Sequence, residues 1–382
     1  GIEIVEKYHL SQQYTVENCE KIKNGYLVEV EPKDILYIDG KGGQLGDRGK
    51  IEEAQILEVK ESGVVVDREL EYGEYEVKID YIRQKDIACQ HTAQHMFSAI
   101  AYNDYKLNTV GFRMAEEYTT VDLDSNEITE EVIEELERKA NEVIKKAIQL
   151  KIFIMNNEEA RKIEGLRKAI KEKVVGDVRF VEIPGVDLGA CAGFHVENTK
   201  DIQLFKIINH EKIKGNYIRF YFLAGERALK DYSFKHKLSK DLCHVFSCKD
   251  YEIMEMLDKT LDEKKKIESE YKNLASQYVE FLANKLLKES EIVGEYQPIF
   301  YFGDSTVAQF LGKFMGEKNI LITGFNNNFS IIAQNFNCKD FIQYLVKEKS
   351  TLKGGGNQIK GNFKGDIEEK KLKKLLVEYI ER

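Results

Sequence analysis

The sequence has no long apolar run, which argues against a membrane protein. None of its segments approaches the roughly 18 consecutive apolar residues that a membrane-spanning helix needs. Its first residues also lack the basic and then apolar pattern of a secretory signal peptide. We therefore expect a chain that makes no membrane contact and works in the cytoplasm.

Cysteine is also scarce, and the chain has no excess of positive charge. Six cysteines are spread thinly over 382 residues, which is not the density of a disulfide scaffold. The net charge of −9 disfavours generic binding to polyanions, so any nucleic-acid contact must come from a local basic patch. What remains is a composition, 42% hydrophobic and 32% charged, that is typical of a globular chain with two or three domains.

The first part of the chain is predicted to be all-β, with short strands at 25–30, 35–38, 54–61, 63–67 and 75–79. Between the second and third strands lies a stretch with five glycines in eleven residues, from Asp39 to Gly49. A flexible hairpin loop explains this composition as well as a loop whose backbone approaches a ligand, with Gln44 and Asp47 as polar contacts. A phosphate-binding P-loop is excluded, because no Gly-Lys-Ser/Thr follows.

Two pairs of metal-binding residue types occur about a hundred residues apart in the sequence. His91 and His95 lie four positions apart in a segment with helical periodicity, so both side chains are expected on one helix face. Cys191 and His195 repeat the spacing, but Gly193 between them disfavours a helix and predicts a turn entering a strand. Three histidines and a cysteine form a set typical of zinc. Chance would place both pairs in only about 1% of chains with 7 histidines and 6 cysteines.

The rest of the chain alternates predicted helices and strands. Up to about residue 224 the pattern favours helices packed on an antiparallel sheet, and one of the predicted helices covers 158–172. From Ile253 onwards apolar positions recur with alternating spacings of four and three, which is the heptad rule of a coiled coil. Packing of this stripe on a neighbouring helix of the same chain explains it as well as dimerisation does. The C-terminal part is predicted to be a small α/β unit with a glycine loop near Gly354.

Several motifs, taken together, point to one known family. They are Gly42-Gly-Gln-Leu-Gly-Asp-Arg-Gly49, His91-Thr-Ala-Gln-His95, Tyr118-Thr-Thr-Val-Asp-Leu-Asp124, Cys191-Ala-Gly-Phe-His195-Val and Ile218-Arg-Phe-Tyr-Phe-Leu-Ala-Gly-Glu-Arg-Ala228. With these motifs the sequence resembles the alanyl-tRNA editing proteins of the AlaX type, long form, and the editing half of alanyl-tRNA synthetase. Near the C-terminus, Lys353-Gly-Gly-Gly-Asn-Gln-Ile-Lys-Gly361 is similar to the glycine-rich signature of the synthetase's C-terminal domain.

The resemblance implies a zinc-dependent hydrolase that removes wrongly attached serine or glycine from tRNA(Ala), without ATP. The zinc ligands of the family fall on His91, His95, Cys191 and His195. The family motif usually reads Cys-Gly-Gly-Thr-His, whereas Ala192 and Phe194 here replace a glycine and the threonine. The ligands are retained, but the replacement of the threonine leaves the preference between serine and glycine open.

The role of the zinc is open at this point. It can activate water or polarise the ester carbonyl. Alternatively it orients the aminoacyl end through the free α-amino group, while Gln44, Thr92 and Gln94 fix the 3′-terminal ribose. Two other functions remain: a non-catalytic tRNA-binding module with a structural zinc, and an editor of a different misacylated tRNA.

The expected fold class is α+β, in four parts. These are a small β-barrel-like domain with the glycine-rich loop at 1–83, an editing domain of helices on an antiparallel sheet at 84–235, a helical coiled-coil-like spacer at 236–294 and a small α/β domain at 295–382. No aminoacylation domain precedes the editing domain, so we expect no charging of tRNA.

The C-terminal part is the predicted contact with tRNA. Between Leu345 and Lys374 there are nine lysines and four acidic residues, and the resemblance implies that this domain grips tRNA and mediates dimers. We predict a homodimer formed through this domain and the spacer. The predicted tRNA contacts are Lys353, Gly354, Gly355, Gly356, Lys360 and Lys364.

Overall fold

The computed structural model describes residues 11–382 and divides into two compact units. The first unit ends at Ser239, and the second runs from Lys240 to Arg382. The first ten residues of the predicted 1–83 domain lie outside the described part of the chain. No helix between residues 11 and 382 is both long enough and apolar enough to cross a membrane.

The first unit begins with a closed barrel of six strands. The strands are β1 (Ser11–Ile22), β2 (Gly25–Glu31), β3 (Gly49–Ile51), β4 (Ala54–Lys60), β5 (Gly63–Val66) and β6 (Gly73–Ile79). Around the barrel their order is β1-β2-β5-β4-β3-β6. Val28 and Val30 are buried whereas Glu29 and Glu31 are exposed, as expected for a strand with one face in a barrel interior. The prediction of a small β-barrel is confirmed.

One of the predicted strands in this region was wrong. Residues 35–38 are apolar but form no strand, because Asp47 binds their backbone instead. The Asp47 carboxylate accepts a hydrogen bond from the Tyr37 N–H (2.8 Å), and the Asp47 N–H donates to the Tyr37 carbonyl (3.1 Å). Strands β1 and β3 were missed, since β1 carries few buried apolar side chains, such as Tyr14 and Val16.

Helix α1 (Tyr81–Tyr105) is central to the first unit. It begins where the Asp80 side chain accepts the Arg83 N–H, and it ends at Lys106, which has a left-handed backbone. All residues from Ile87 to Ala101 are buried. The elements that follow α1 are β7 (Thr109–Met114), β8 (Thr119–Leu123), α2 (Glu130–Lys145), β9 (Lys151–Met155), α3 (Asn157–Ala160), β10 (Val178–Ile183), β11 (Asp187–Ala190), β12 (Phe205–Ile213) and β13 (Tyr217–Ala224).

Two antiparallel sheets complete this unit, in the orders β12-β13-β8-β7 and β11-β10-β9. Phe220 and Phe222 on the inner face of the larger sheet pack against Phe97 of α1. The α+β class with antiparallel sheets is confirmed. The helix predicted at 158–172 was wrong beyond Ala160, because the Arg161 side chain takes up the carbonyls of Lys171, Glu172 and Val174 in a turn-rich segment.

The second unit is a five-stranded sheet with helices on both sides. After α4 (Glu226–Phe246), which crosses the boundary between the units, come α5 (Ile253–Glu289), β14 (Gln297–Phe302), α6 (Ser305–Leu311), β15 (Asn319–Phe325), β16 (Asn328–Ala333), α7 (Cys338–Glu348), β17 (Lys353–Gly356), β18 (Lys360–Lys364) and α8 (Glu369–Ile380). The strand order is β14-β15-β16-β18-β17, and only β14 and β15 are parallel. The predicted glycine loop is therefore wrong: it is strand β17, paired with β18.

The predicted heptad stripe lies on the solvent side of α5. Ile267, Leu274 and Phe281 are 64%, 65% and 71% exposed. The residues of α5 that pack into a core with β14, β15 and α6 belong to another stripe, which includes Val279 and Leu282. The coiled coil stays a prediction. The alternative, in which the stripe packs on a neighbouring helix of the same chain, does not occur within residues 11–382, because these side chains are exposed there.

Candidate metal centre

Helix α1 carries polar side chains on all sides although it is buried. Buried polar groups need hydrogen-bond partners, and several of these side chains find them on other elements. Gln84 donates to Asp47 in the glycine-rich loop (2.8 Å). Gln90 donates to the Ala224 carbonyl (2.7 Å) and accepts its N–H (3.1 Å) at the end of β13. These bonds fix α1 relative to the loop and the sheet.

His91, His95, Cys191 and His195 come together beside this helix. One ligand atom from each lies within 4.8 Å of the others. The Cys191 Sγ atom is 3.5 Å from His91 Nε2 and 3.3 Å from His195 Nε2. The three histidines are buried, and Cys191 as a residue is partly buried. Among residues 11–382, no other His, Cys, Asp and Glu side chains form such a group.

Each histidine ring has a protein contact at Nδ1, which leaves Nε2 for a metal. His91 Nδ1 is 2.7 Å from Gln44 Oε1, and His195 Nδ1 is 3.0 Å from the Thr92 hydroxyl. His95 Nδ1 has no aligned hydrogen-bond partner, but the Asp187 carboxylate is 3.4 Å away. Contacts of this kind orient metal-binding histidines and fix their tautomers.

The second half of the cluster lies on a loop without helix or strand. The Arg179 guanidinium donates to the carbonyls of Cys191 and Gly193, at 2.8 Å each. The Phe194 N–H donates to Gln44 Oε1 (2.8 Å), and the Val196 N–H donates to the Thr92 hydroxyl (3.1 Å). Gln44 and Thr92 therefore each join one histidine to the backbone of this loop.

Gly193 is required by close approach. A Cβ atom at this position would overlap the His91 ring and press on the Gln44 side-chain oxygen. Its backbone φ does not lie in the left-handed region, so the reason for glycine is space and not conformation. The loop can approach α1 this closely only without a side chain at Gly193.

The charges of the cluster favour a thiolate beside neutral and protonated imidazoles. Burial alone would raise the pKa of Cys191, but the charges and hydrogen bonds of His91 and His195 hold it well below its usual value. Burial, together with the charge of His91, lowers the pKa of His195. Burial also opposes a charge on His95, but Asp187 and Cys191 outweigh it and raise the pKa of His95 to about 9. In this state a proton on His95 balances the thiolate.

This donor set fits zinc. A thiolate and three imidazole nitrogens are common ligands in four-coordinate zinc sites, and metal binding requires the thiolate that the surroundings already favour. A bound cation would take the place of the proton on His95. The side-chain amide nitrogen of Gln44 is buried beside this cluster and has no hydrogen-bond partner in the described chain.

The structure places the three other predicted site residues differently from one another. Gln44 touches both halves of the cluster. Thr92 is fully buried and contacts His195. Gln94 donates to Ser98 Oγ, one turn further along α1 (2.9 Å). Phe194 packs its ring against Tyr37, with the ring centroids 5.3 Å apart.

Three charged residues at the site were not found from the sequence. Asp187 is buried between His95 and Arg167, whose Nε donates to Asp187 Oδ1 (3.0 Å). Arg179 donates hydrogen bonds to the loop that carries Cys191 and His195, called the cysteine loop below. Asp187 and Arg179 interrupt apolar strand segments, Val186-Asp-Leu188 and Val178-Arg-Phe180. A charge inside a strand that is otherwise apolar was the signal that could have revealed them.

The predicted nucleic-acid contacts lie apart in sequence, in the second unit. Lys353, Gly354, Gly355 and Gly356 form β17, and Lys360 and Lys364 are the ends of β18. All six are exposed. Lys353 and Lys364 are directly opposite each other in the antiparallel pair, so their charges lie side by side.

Comparison with known proteins indicates the same family that the motifs resemble. Residues 178–221 match the family model described as "Threonyl and Alanyl tRNA synthetase second additional domain". The "Alanyl-tRNA editing protein Aarsd1" of Bos taurus is 29% identical over 70% of this chain and 61% of its own length. The "Alanine--tRNA ligase" of Crocosphaera subtropica is 28% identical over 75% of this chain and 34% of its own. A solved structure, RecJ of Thermus thermophilus with Mg2+, covers 29% of this chain and 18% of its own at 15% identity, and its TM-score of 0.23 is too low to indicate a shared fold.

This chain matches only part of the length of these relatives. The matched part of this chain spans about three fifths of the bovine relative, 61%. The family model covers β10, β11, the cysteine loop, β12 and most of β13, so it includes Cys191 and His195. The chain is therefore similar to the alanyl-tRNA editing proteins, as its motifs predicted.

Proposed function

We propose that this protein is a trans-acting deacylase that hydrolyses the ester of tRNA(Ala) mischarged with serine or glycine. The observation that carries the proposal is the cluster of His91, His95, Cys191 and His195, whose ligand atoms lie within 4.8 Å of one another. It occurs in a chain that is similar to proteins named for alanyl-tRNA editing.

Zinc is the proposed cofactor. His91 and His195 present Nε2 to the cluster because Gln44 and Thr92 engage their Nδ1 atoms. Asp187 lies at Nδ1 of His95 in the same manner. Bound zinc supplies a positive charge that stabilises an oxyanion, lowers the pKa of a water or orients an α-amino group.

Gln44 is the proposed contact with the substrate. Its side-chain oxygen is occupied by His91 and Phe194, whereas its amide nitrogen is a buried donor without a partner in the described chain. A buried donor of this kind costs free energy unless a ligand accepts its hydrogen bond. We assign that acceptor to the ester carbonyl or a hydroxyl of the 3′-terminal ribose. A fixed donor at this position stabilises developing negative charge without reorganisation.

The discrimination between amino acids is proposed to depend on hydrogen bonding at the site. A pocket that bonds the serine hydroxyl rejects alanine, because alanine leaves the buried partner unpaired. The Phe194 ring, three residues along the chain from Cys191, packs against the Tyr37 ring. Glycine has no hydroxyl, so its discrimination from alanine is proposed to depend on the space for the alanine methyl group and not on this hydrogen bond.

Thr92 and Gln94 receive narrower roles within this proposal. Thr92 is fully buried, so we assign to it the orientation of His195 and of the cysteine loop. Gln94 is hydrogen-bonded along α1, so its contribution to ribose binding depends on exchanging its bond to Ser98. Neither side chain offers the unpartnered donor that Gln44 does.

The second unit is proposed to hold the tRNA and a second copy of the chain. The exposed lysines of the β17–β18 hairpin provide charge for phosphate contacts. The exposed stripe of α5, with Ile267, Leu274 and Phe281, is an apolar surface of the kind that a second helix covers. We propose a homodimer that uses this stripe and the C-terminal domain.

A second function is favoured by one specific observation. Four protein ligands leave a tetrahedral zinc without an open position, which is typical of structural sites. In that case the protein is a tRNA-binding module without catalytic activity. The unpartnered Gln44 amide favours the deacylase.

The test is deacylation of purified Ser-, Gly- and Ala-tRNA(Ala) by the wild-type chain and by His95→Ala. We expect hydrolysis of the first two by the wild type and a loss of more than about a hundredfold in the variant, since a ligand is removed. His236→Ala is the matched control, because His236 is an exposed histidine of α4. It should retain wild-type activity.

The outcomes separate the proposed functions. Unchanged activity in His95→Ala would contradict the zinc-centred mechanism. A wild-type chain that binds tRNA and zinc but hydrolyses none of the esters would favour the binding module. Hydrolysis only of other mischarged tRNAs, added to the same assay, would reassign the substrate.

A further inference from the structure

A cavity of about 800 Å³ lies on the sheet of the second unit. Helices α5 and α6 cover one part of this sheet face, where Leu321 of β15 packs against Leu311. Further across the same face the side chains are uncovered, and Asn328, Ile332 and Asn362 are exposed. The cavity lies where the helical cover stops, with α6 as one wall. Its volume is in the range of small-molecule binding sites.

The cavity presents an accessible aromatic ring and an apolar floor. Phe325 is 57% exposed at the end of β15, and Ile332 of β16 is 43% exposed. Phe329 and Phe363 lie below and stack on each other, with ring centroids 5.1 Å apart and planes at 15°. They fix the strands from beneath. Aromatic rings exposed on a sheet are surfaces on which nucleobases stack.

Two asparagine side chains in the cavity each keep a polar group for a ligand: one keeps a donor and the other an acceptor. Ser330 Oγ donates to Asn362 Oδ1 (2.7 Å), which leaves the Asn362 amide nitrogen as a donor. Asn328 donates its amide nitrogen to the Asn326 carbonyl (3.1 Å), which leaves its oxygen as an acceptor. A donor and an acceptor fixed on neighbouring strands match the edge of a nucleobase, which carries both.

The mouth of the cavity is positively charged. Lys353 and Lys364 are among its lining residues and lie opposite each other on β17 and β18. No carboxylate is found among the residues that line the cavity. Gly354 lies beside them, and a Cβ atom there would overlap the backbone and side chain of Phe363. The hairpin is therefore closely packed where the lysines project.

We propose that this cavity binds one unpaired nucleotide of an RNA chain, with the base against Phe325 and the amides and its phosphate at Lys353 and Lys364. The same chemistry would suit a free nucleotide, and the two sources are separated by experiment. The proposal rests on the proposed engagement of tRNA, but it is independent of the metal centre and of ester hydrolysis. It assigns to the second unit a pocket for a base in addition to a charged surface.

The first experiment measures binding of the full chain to a short fluorescently labelled single-stranded RNA and to tRNA(Ala) by anisotropy. Phe325→Ala should weaken binding about tenfold, because it removes one stacking surface. Phe314→Ala is the matched control: this ring is 38% exposed, lies in the same unit and does not line the cavity. It should bind as the wild type does. The melting temperature of each variant reports folding, and Phe325 is exposed enough that its loss empties no core.

The second experiment tests the charge at the mouth. Lys364→Ala should lower affinity for all RNA sequences equally and reduce the slope of log affinity against log salt by about one. Lys370→Ala is the control, since Lys370 is an exposed lysine of α8 outside the cavity. Equal effects of the two lysine variants would overturn the phosphate assignment.

The third experiment separates the two sources of the nucleotide. The Ile332 methyl resonance of the full chain is followed during titration with the RNA and with the four 5′-mononucleotides. We expect the resonance to shift at lower concentrations of RNA than of any mononucleotide. Tighter binding of a mononucleotide would overturn the RNA assignment in favour of a free nucleotide.

Failure of this proposal can be told apart from failure of the proposed function. If the wild type deacylates mischarged tRNA while Phe325→Ala and Phe314→Ala bind RNA equally, the cavity assignment alone is wrong. If the wild type has no deacylase activity but Phe325→Ala loses RNA affinity, the cavity assignment stands and the enzymatic proposal fails.

Discussion

The two halves of the candidate metal centre are held in different ways. His91 and His95 are one helical turn apart on α1, whose residues Ile87–Ala101 are all buried. Cys191 and His195 have the same spacing but lie on a loop that depends on side chains from distant parts of the chain, above all Gln44 and Arg179. The comparison shows that one ligand spacing can be fixed by a helix or by cross-chain hydrogen bonds. We expect the loop half to be the one that substitutions disturb most.

The largest effect is expected from Gly193→Ala. The added methyl group would overlap the His91 ring, so the loop half must move away from the helix half. We predict a loss of bound metal and a decrease in deacylation of more than about a hundredfold, because displacement of a positioned group is costly in catalysis. Metal analysis and initial rates measure both quantities.

Gly189→Ala is the control for this substitution. Gly189 lies two residues before Cys191, and a Cβ atom there would meet no atom within 4 Å. It should keep its metal and activity. If Gly193→Ala behaves in the same way, the close approach of the two halves is not required.

The next effect in size is expected from Gln44→Ala. This change removes the oxygen that bonds both His91 and the Phe194 N–H. Loss of such a partner commonly lowers metal affinity or activity by about 10- to 100-fold. We predict that kcat falls while the affinity for tRNA is retained, and single-turnover kinetics with Ser-tRNA(Ala) measure this. Equal loss of tRNA binding would point instead to a general role of the loop.

A smaller effect is expected from Thr92→Val. The substitution keeps the shape of a fully buried side chain but removes the hydroxyl that contacts His195 and accepts the Val196 N–H. We predict about tenfold weaker metal binding, measured by competition with a chromogenic chelator. Ser98→Ala, which removes a hydroxyl from the same buried helix, should bind metal as the wild type does. Equal affinities in all three proteins would show that His195 needs no anchor.

The smallest effect is expected at Asp39, which ties the glycine-rich loop to the barrel. Burial alone would raise the pKa of Asp39. Hydrogen bonds from Arg48, Val59 and Gly46 outweigh burial, so the pKa of Asp39 in the folded protein lies below its usual value. This contribution to stability is therefore complete above the unfolded pKa, about 4, and is lost as the pH falls through the lower folded value.

The prediction for Asp39 follows from this sign. Asp39→Asn should lower the urea midpoint near neutral pH, and the difference from the wild type should shrink below about pH 4. Urea unfolding across the pH range measures the difference. A difference that is constant with pH would show that the charge of Asp39 is irrelevant to the loop.

The sequence predicted the helix half of the centre well and the loop half only as a pair of residues. Four-residue spacing in a helical segment is sufficient to place His91 and His95 on one face. Nothing near Cys191 in the sequence reveals that Arg179 and Gln44 hold its loop, because these contacts join residues up to 150 positions apart. Asp187 and Arg179 left only a weaker signal, a charge in an otherwise apolar segment, which does not name their partners.

The wrong predictions of secondary structure also have a physical origin. Residues 35–38 have strand composition, yet Asp47 takes up their backbone groups. The predicted helix at 158–172 ends early, and the Arg161 side chain binds the carbonyls of Lys171, Glu172 and Val174 in the turns that replace it. Conversely, the glycines of β17 have low strand propensity, but β18 supplies a partner strand. In each case specific hydrogen bonds, which composition does not reveal, overruled propensity.

The most direct test of the account is X-ray absorption at the zinc edge of the purified full-length protein. We expect one zinc per chain with three nitrogen ligands and one sulfur ligand, from His91, His95, His195 and Cys191. The sulfur contribution should be absent in Cys191→Ser. A wild-type protein without bound metal, or with a metal that has no sulfur ligand, would contradict the account.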